Sequence, residues 1–332
     1  MDAFPQGYPN VRLDLAAAYR WDDMVEVEFL SGFFQHLKKC MGKCFSEYNF
    51  FVFGSHDPDT IPASTTLEIP NKVLIFLADE SSDYRSIHSV LKLQPYYHRI
   101  FKAYLPCELP CTGVHPFPLG YVKNVPHYEV KPSHLRKNDL FFSGNLNGNR
   151  LDFYVALNPL TRLLPSDLAK HFLRRMRLKP RRLLDKLTEV ANPNSKIMFT
   201  NGFRQGLSSE EYARSLHDSK ITFCPKGFNS AETFRHMEAM RAGCVVISEP
   251  LPNTFFYRDS PIITVSDWRS GLAIVKNLLK NPDLLLETQA ATLNWWAEVC
   301  SEKGTAEYVN NLLAPQNGGV ALPANVQMLQ QS

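Results

Sequence analysis

Apolar and polar positions along the chain follow two different periods. Short apolar runs, such as KVLIFLA at 72–78, have the length and composition of buried strands. Longer stretches repeat apolar residues every three to four positions, as Val25, Phe29, Phe33 and Leu37 do within 22–45. The predicted strands are 50–53, 72–78, 100–105, 139–142, 196–200, 221–224, 244–247 and 262–265. The predicted helices are 22–45, 150–157, 166–189, 208–217, 269–280, 283–299 and 302–313, with a further helix between 224 and 244.

Strands that alternate with helices in this way predict parallel α/β sheets. The proline-rich stretch 106–135 has little periodicity and is the expected crossing between two domains. We therefore expect an N-terminal α/β domain over 1–135 and a C-terminal α/β domain over 136–313, whose last helices can pack back on the first. Residues 314–332 are expected to form a frayed tail. The predicted fold class is α/β, with two Rossmann-like domains facing each other across a cleft.

The segment CPKGFNSAETFRHMEAMRAGCVVIS (224–248) has the pattern of a βαβ unit. Its loop would lie beyond the carboxyl end of a strand, where α/β sheets bind ligands. Ser230 is a candidate cap for the helix, whose N-terminus favours an anion. Arg235 and Glu238 lie three residues apart on one side of that helix, which suits a diphosphate and a ribose. The alternative is a surface ion pair between them.

Two loops, one of them in the segment just described, follow predicted strands and carry glycine together with a basic residue. In SGNLNGNR (143–150), Gly144 and Asn145 would let backbone amides approach a phosphate, and Arg150 would add charge. In PKGFNSAE, Lys226 and Gly227 have the same chemistry. SGNLNGNR matches neither the Walker A nor the GxGxxG pattern, so a simple turn is its alternative; the two loops support each other because both follow strands of one predicted sheet.

A third loop, NGFRQG (201–206), also follows a strand. It would contact a nucleobase through Phe203 and backbone groups. A turn with a packed aromatic ring is the alternative.

Polar groups at strand ends of the first domain are candidates for a general base: His56, Asp57, Asp79 and Glu80. Glu80 is preferred because it follows the most apolar strand and reaches further than Asp79. Asp57 is the second choice, since the proline that follows it fixes a turn. A solvated loop is the alternative for each.

Composition narrows the class of protein. A hydrophobic content of 44% and a net charge of +3 suit a globular protein and do not by themselves indicate a nucleic-acid binder. No apolar run reaches the ~18 residues that span a membrane. The first residues lack a signal-peptide pattern, so we expect a soluble, cytoplasmic protein. The seven cysteines are expected to be reduced, with a zinc site at Cys40/Cys44 and Cys107/Cys111 as an alternative.

Residues 170–186 contain eight basic residues and one acid, Asp185. Such a segment can bind nucleic acid or an anionic membrane surface. The expectation is instead a solvated basic face above a buried apolar one. That buried face would comprise Leu173, Met176, Leu178, Leu183, Leu184 and Leu187.

The segment SKITFCPKGFNSAETFRHMEAMRAGCVVIS resembles exostosin-type glycosyltransferases of the GT-B architecture. It is similar to that family's strand, Pro-x-Gly loop, Ser-x-Arg-x-x-Glu-Ala helix and Gly-Cys strand. Its serine spacing departs, since Ser230 and Thr233 both lie near the family's position. GVHPFPLG, DLFFSGNLNGNR and Asp267-Trp268 also resemble the family, and the resemblance is most specific over 139–280.

The resemblance implies an inverting transfer from a nucleotide-sugar donor, a UDP-sugar above all, to a hydroxyl of a glycan acceptor. Arg235 and Arg150 would hold the diphosphate and Glu238 the ribose. No cofactor is implied, and no metal is needed for nucleotide binding. Two alternatives remain open: a non-catalytic nucleic-acid or anion binder that uses 170–186, and a GT-B epimerase or phosphorylase.

Overall fold

Two α/β sheets form the frame of the protein. The computed structural model describes residues 2–4, 7–17, 19–20, 23–55, 57, 60–77, 84–175, 178–202 and 205–314. The first sheet has six strands in the order β1-β2-β3-β4-β5-β6, and β1 alone runs antiparallel to its neighbour. These strands are β1 Asp2–Ala3, β2 Val11–Leu15, β3 Asn49–Gly54, β4 Lys72–Phe76, β5 Arg99–Lys102 and β6 Val114–Pro116.

The second sheet has five parallel strands in the order β11-β10-β9-β7-β8. The strands are β7 Asn138–Asn145, β8 Ser195–Thr200, β9 Ser219–Cys224, β10 Val245–Ser248 and β11 Ile263–Thr264. The central strands β9 and β10 are almost wholly buried, as expected of a parallel sheet covered on both faces.

Helices cover the faces of both sheets. They are α1 Val27–Met41, α2 Tyr84–Leu93, α3 Leu151–Leu157, α4 Ser166–Arg175, α5 Leu178–Ala191, α6 Ser209–His217, α7 Phe234–Arg241, α8 Trp268–Lys280, α9 Pro282–Trp295 and α10 Glu302–Leu313. A π-helical turn, Trp296–Cys300, joins α9 to α10. Among the helices that the structure describes, none combines the length and apolar content needed to cross a bilayer.

The predicted fold class, α/β with two Rossmann-like sheets, is confirmed. The strands β1, β2 and β6 and the helix α2 were not predicted. The single helix expected over 166–189 is described as two, α4 and α5, with Pro180 in the first turn of α5, where proline is tolerated. Leu184 is buried as expected, but Leu183 is 62% exposed, so its assignment to a buried face is wrong.

Cysteines do not build a metal site in the described part of the chain. No group of three or more His, Cys, Asp or Glu residues is arranged there to hold a metal ion. The zinc alternative at Cys40/Cys44 and Cys107/Cys111 is therefore wrong. All seven cysteines are free thiols.

Helix α10 packs into the core of the first sheet, although its residues lie at the end of the described chain. It packs along α1, whose buried face includes Phe29 and Phe33. The two helices approach so closely that a side-chain carbon at Gly32 would lie 2.8 Å from Glu302 Cγ. The Tyr48 hydroxyl also donates to the Leu313 carbonyl at the end of α10, over 2.7 Å.

The proline-rich stretch between the sheets is anchored to the second sheet by Arg136. Its buried guanidinium donates to the carbonyls of Lys131, Ser219 and Ala242 over 2.7–2.8 Å. Because Ser219 begins β9 and Ala242 is the C-cap of α7, one side chain fixes three segments.

Candidate active site

A cavity of about 380 Å³ opens beyond the carboxyl ends of the second sheet. One side of the cavity is lined by Tyr104, which follows β5, and by Val122 and Val125 of the proline-rich stretch. On the other side it is lined by the loops after β7 and β9 and by α6 and α7. Its volume lies in the ~300–1,000 Å³ range of ligand sites.

The sheet topology favours a ligand at this position. The chain passes from β7 to β8 on one side and then to β9 on the other side of β7. Such a reversal leaves a crevice between β7 and β9 at their carboxyl ends, where open α/β sheets bind ligands. The loops that carry Arg150 and Lys226 leave these two strands.

Helix α7 begins one turn later than the sequence suggested. Its cap is Thr233, whose backbone N–H lies 3.2 Å from His236 Nδ1. Ser230 is fully buried, and its hydroxyl accepts a hydrogen bond from the Glu232 N–H over 3.1 Å. The predicted capping by Ser230 is therefore wrong, because its side chain is used to fold the loop.

Arg235 lies in the first turn of α7 and reaches across to β7. Its Nε donates to the Ser143 carbonyl over 3.0 Å, and the guanidinium lies 5.7 Å from the centre of the Phe142 ring. Gly144 makes this approach possible, since a Cβ there would lie only 2.5 Å from Arg235 Nη2.

Arg150 approaches the same point from the other loop. It is buried, and its Nη1 donates to the Asn145 side-chain oxygen over 2.8 Å and to the Asn145 carbonyl over 2.9 Å. A Cβ at Gly144 would lie 3.2 Å from this Nη1. Two guanidinium groups therefore converge on one glycine, and their mutual repulsion favours an anion between them.

The loops after β7 and β9 are joined to each other by hydrogen bonds. Arg150 Nε donates to the Lys226 carbonyl over 3.0 Å, and Asn149 Nδ2 donates to the Gly227 carbonyl over 2.9 Å. The Gly227 N–H donates to the Ser230 carbonyl. Gly227 lines the cavity, but its N–H is used within the loop and does not supply a free donor.

Lys226 is anchored by its backbone N–H, which donates to Glu249 Oε2 over 2.5 Å.

Glu238 lies one turn further along α7 and is only 6% exposed, so the alternative of a surface ion pair with Arg235 is wrong. Its Oε2 accepts from the Tyr212 hydroxyl over 2.8 Å and its Oε1 from the Val122 N–H over 3.3 Å. Burial raises the pKa of this carboxyl group, and the Tyr212 hydroxyl and then Arg235 oppose that shift. The carboxyl is therefore held in a fixed orientation beside the cavity.

Four of the predicted residues lie outside the described part of the chain: His56, Asp79, Glu80 and Phe203. Asp57 is described: it is exposed, and its backbone bonds to the Ser55 hydroxyl. It does not line the cavity, and the identity of the base stays a prediction.

Glu232 is a cavity residue that the sequence did not suggest. It is 3% exposed, and its Oε2 has no hydrogen-bond partner among the residues described. Burial raises its pKa from 4.5 to about 8, against the opposing effects of Tyr257 and Lys102. A carboxylic acid that keeps its proton near neutral pH can donate a hydrogen bond to a ligand. An orphaned buried oxygen beside a cavity is also a natural contact for a ligand hydroxyl.

Comparison with known proteins gives distant structural matches. No protein-family model matches the chain, and comparison with curated sequences gives no match. HepE of Anabaena in complex with UDP and glucose shares 11% identity at a TM-score of 0.48, over 84% of this chain and 81% of that one. TarM shares 11% identity at a TM-score of 0.47, over 84% of this chain and 58% of that one.

An alpha-glucosyltransferase in complex with UDP and a 13-mer DNA also shares 11% identity, at a TM-score of 0.43, over 86% of this chain and 84% of that one. This chain thus spans less than two thirds of the length of TarM. These values describe a distant likeness, and no residue role follows from it. Membership of the exostosin-type family stays a prediction.

Proposed function

We propose that this protein is a glycosyltransferase that moves a sugar from a nucleoside-diphosphate donor, a UDP-sugar above all, to a hydroxyl of a glycan. The observation that carries the proposal is the convergence of Arg150 and Arg235 on Gly144 in a cavity that also holds the Glu238 carboxyl. Two cations beside one buried acid suit a ligand with an anionic part and a hydroxyl-bearing part.

The diphosphate would lie between the two guanidinium groups. Arg235 belongs to the first turn of α7, so the positive end of the helix dipole adds to the attraction. When the sugar leaves, negative charge accumulates on the terminal phosphate. Fixed cations at that point stabilise the transition state because they need no reorganisation during the reaction. The same groups can neutralise the diphosphate without a metal.

Glu238 would accept hydrogen bonds from the ribose. A carboxylate has about four acceptor positions, and Tyr212 and Val122 occupy two of them in this protein. The tyrosine and the backbone amide therefore orient the group while leaving it able to bind hydroxyls.

Inversion requires a base on the face of the sugar opposite the phosphate. We assign that role to the N-terminal half, with Glu80 as the first candidate and Asp57, Asp79 and His56 as the others. The glycan acceptor would enter along the wall that Tyr104 and Val122 contribute.

Titration calorimetry with UDP, GDP and their sugars tests the donor site. We expect Arg235→Ala and Glu238→Ala to weaken nucleotide binding by about tenfold to a hundredfold, the loss of one charge-assisted bond. Matched controls are Arg214→Ala, at an exposed arginine of α6, and Glu307→Ala, at an exposed glutamate of α10.

Two outcomes would contradict the proposal. One is the absence of binding by any nucleotide at millimolar concentration; the other is normal binding by both site variants. Product analysis with a bound donor then separates a transferase from an epimerase or phosphorylase, because only the transferase needs an acceptor glycan.

A further inference from the structure

Exposed apolar side chains are concentrated in one part of the second sheet's covering layer. Of the thirteen large hydrophobic residues found exposed in the described chain, seven lie within 160–190. Single exposed leucines are common on proteins, whereas a concentration of them in one segment is a candidate interaction site. The group consists of Leu160, Leu163, Leu164, Leu168, Phe172, Leu183 and Val190.

These side chains do not belong to the core-facing sides of their helices. On α4 the buried residue is Ala169, while Leu168 and Phe172 are four apart and form a separate exposed stripe. On α5 the buried residues are Leu184 and Thr188, while Leu183 and Val190 are two turns apart on another face. Each helix thus packs one face inward and leaves a second apolar face uncovered.

The same segment has a concentrated positive net charge. Residues 160–190 contain nine basic and three acidic residues, a formal charge of +6, whereas the whole chain has +3. The remainder of the chain is therefore net negative. The exposed basic side chains include Arg162, Arg174, Arg175, Arg182 and Lys186. We call these exposed apolar and basic side chains of 160–190 the leucine–arginine surface.

An amphipathic cavity of about 690 Å³ adjoins this surface. Leu163 of the 160–164 turn and two leucines of α8 form apolar parts of its wall. Arg162, Arg269 and Lys276 contribute three cations against one acid, Asp139. Arg269 also donates to the Leu164 carbonyl over 3.0 Å, which fastens the turn to α8. The cavity lies near the amino ends of β7 and β8, so occupying it leaves the candidate active site at their carboxyl ends accessible.

We propose that the leucine–arginine surface docks on a membrane that contains anionic phospholipid. The apolar side chains would enter the interface between headgroups and acyl chains, and the arginines would bind the phosphate groups. Attraction to anionic headgroups explains why basic residues are concentrated on this surface. Burial in the lipid interface explains why its leucines are exposed in the protein alone. A nucleic acid would satisfy only the charge, because single-strand binding uses aromatic stacking and Phe172 is the one exposed aromatic of the group.

Vesicle co-sedimentation of the full chain tests this proposal without a sugar nucleotide. The probes are phosphatidylcholine vesicles, with or without about one third phosphatidylglycerol. We expect binding only to the anionic vesicles. Leu168→Ser with Phe172→Ser, and separately Arg174→Glu with Arg175→Glu, should each lower the partition coefficient by about tenfold or more.

Matched controls are Leu284→Ser with Leu286→Ser, which removes two exposed leucines of α9, and Lys38→Glu with Lys39→Glu on α1. Both should bind as the wild type does. Leu163→Ser is the second test variant, because this side chain is 78% exposed and its replacement leaves the core unchanged.

Three results would overturn the proposal: no binding to anionic vesicles, equal loss of binding in the controls, or unchanged binding after removal of the apolar pair. Salt-sensitive binding to a DNA or RNA oligomer that depends on the arginines alone would assign the surface to nucleic acid instead.

Discussion

Glu232 gives the protein a pH dependence of stability that one substitution should remove. Burial raises the pKa of this carboxyl group from 4.5 to about 8. The unfolded chain ionises at the ordinary value, so between about pH 4.5 and 8 the folded protein keeps a proton that the unfolded chain has lost. The free energy of unfolding therefore falls as the pH rises through this window.

The size of the effect follows from the shift. Each pKa unit corresponds to about 1.36 kcal/mol, so a rise from 4.5 to about 8 gives an upper bound of about 5 kcal/mol. Glutamine has the shape of the protonated acid and does not ionise. We expect Glu232→Gln to match the wild type within about 1 kcal/mol near pH 5 and to exceed it by about 3–5 kcal/mol near pH 9.

Urea denaturation at both pH values measures the difference directly. A reducing agent keeps the free thiols reduced. Glu307→Gln is the matched control, because that side chain is exposed on α10 and should shift stability equally little at both pH values.

A stability difference between Glu232→Gln and the wild type that is the same near pH 5 and near pH 9 would refute the reasoning. It would mean that the folded protein holds Glu232 ionised at neutral pH, and that the carboxyl finds solvent or a cation in the cavity.

Three further substitutions have expected outcomes. Gly144→Ala places a Cβ 2.5 Å from Arg235 Nη2, so calorimetry should show about tenfold weaker nucleotide binding, while Gly148→Ala, with open space around its Cβ, should bind normally. Arg136→Met removes the guanidinium from the buried Ser219 and Ala242 carbonyls and from the Lys131 carbonyl, which keeps Gln289 as a donor; it should lower the free energy of unfolding in urea by about 3–5 kcal/mol, and a loss below about 1 kcal/mol would show that water replaces the guanidinium. Ser208→Ala removes the capping box of α6 and should lower the free energy of unfolding in urea by about 1 kcal/mol. An unchanged urea midpoint would mean that the cap contributes nothing to stability.

Local sequence patterns were sufficient to predict helices whose ends and buried faces are determined by neighbouring residues. The capping box at Ser208 and the apolar periodicity of α1 depend on residues within a few positions of each other. The start of α7 shows where such patterns fail. Ser230 and Thr233 are both good caps, and the choice depends on how the preceding loop folds against β7.

The candidate site was predictable in its chemistry but not in its contacts. Arg150, Arg235 and Glu238 were identified from loop and helix positions, and they do share one cavity. The bond from Arg150 to the Lys226 carbonyl joins residues 76 positions apart, which no sequence pattern specifies. Glu232 gave no signal because its altered pKa arises from burial within the folded chain.

The packing of α10 on α1 has a consequence for how the protein is made. The ribosome releases α1 early, but the helix that covers it is among the last elements of the described chain to emerge. Until then the face of α1 around Gly32 lacks the helix that packs on it, so we expect the first half of the newborn chain to complete its folding only after α10 has emerged. Its exposed apolar surface must be protected during synthesis, and a chain that stops before Glu302 would leave that surface open permanently.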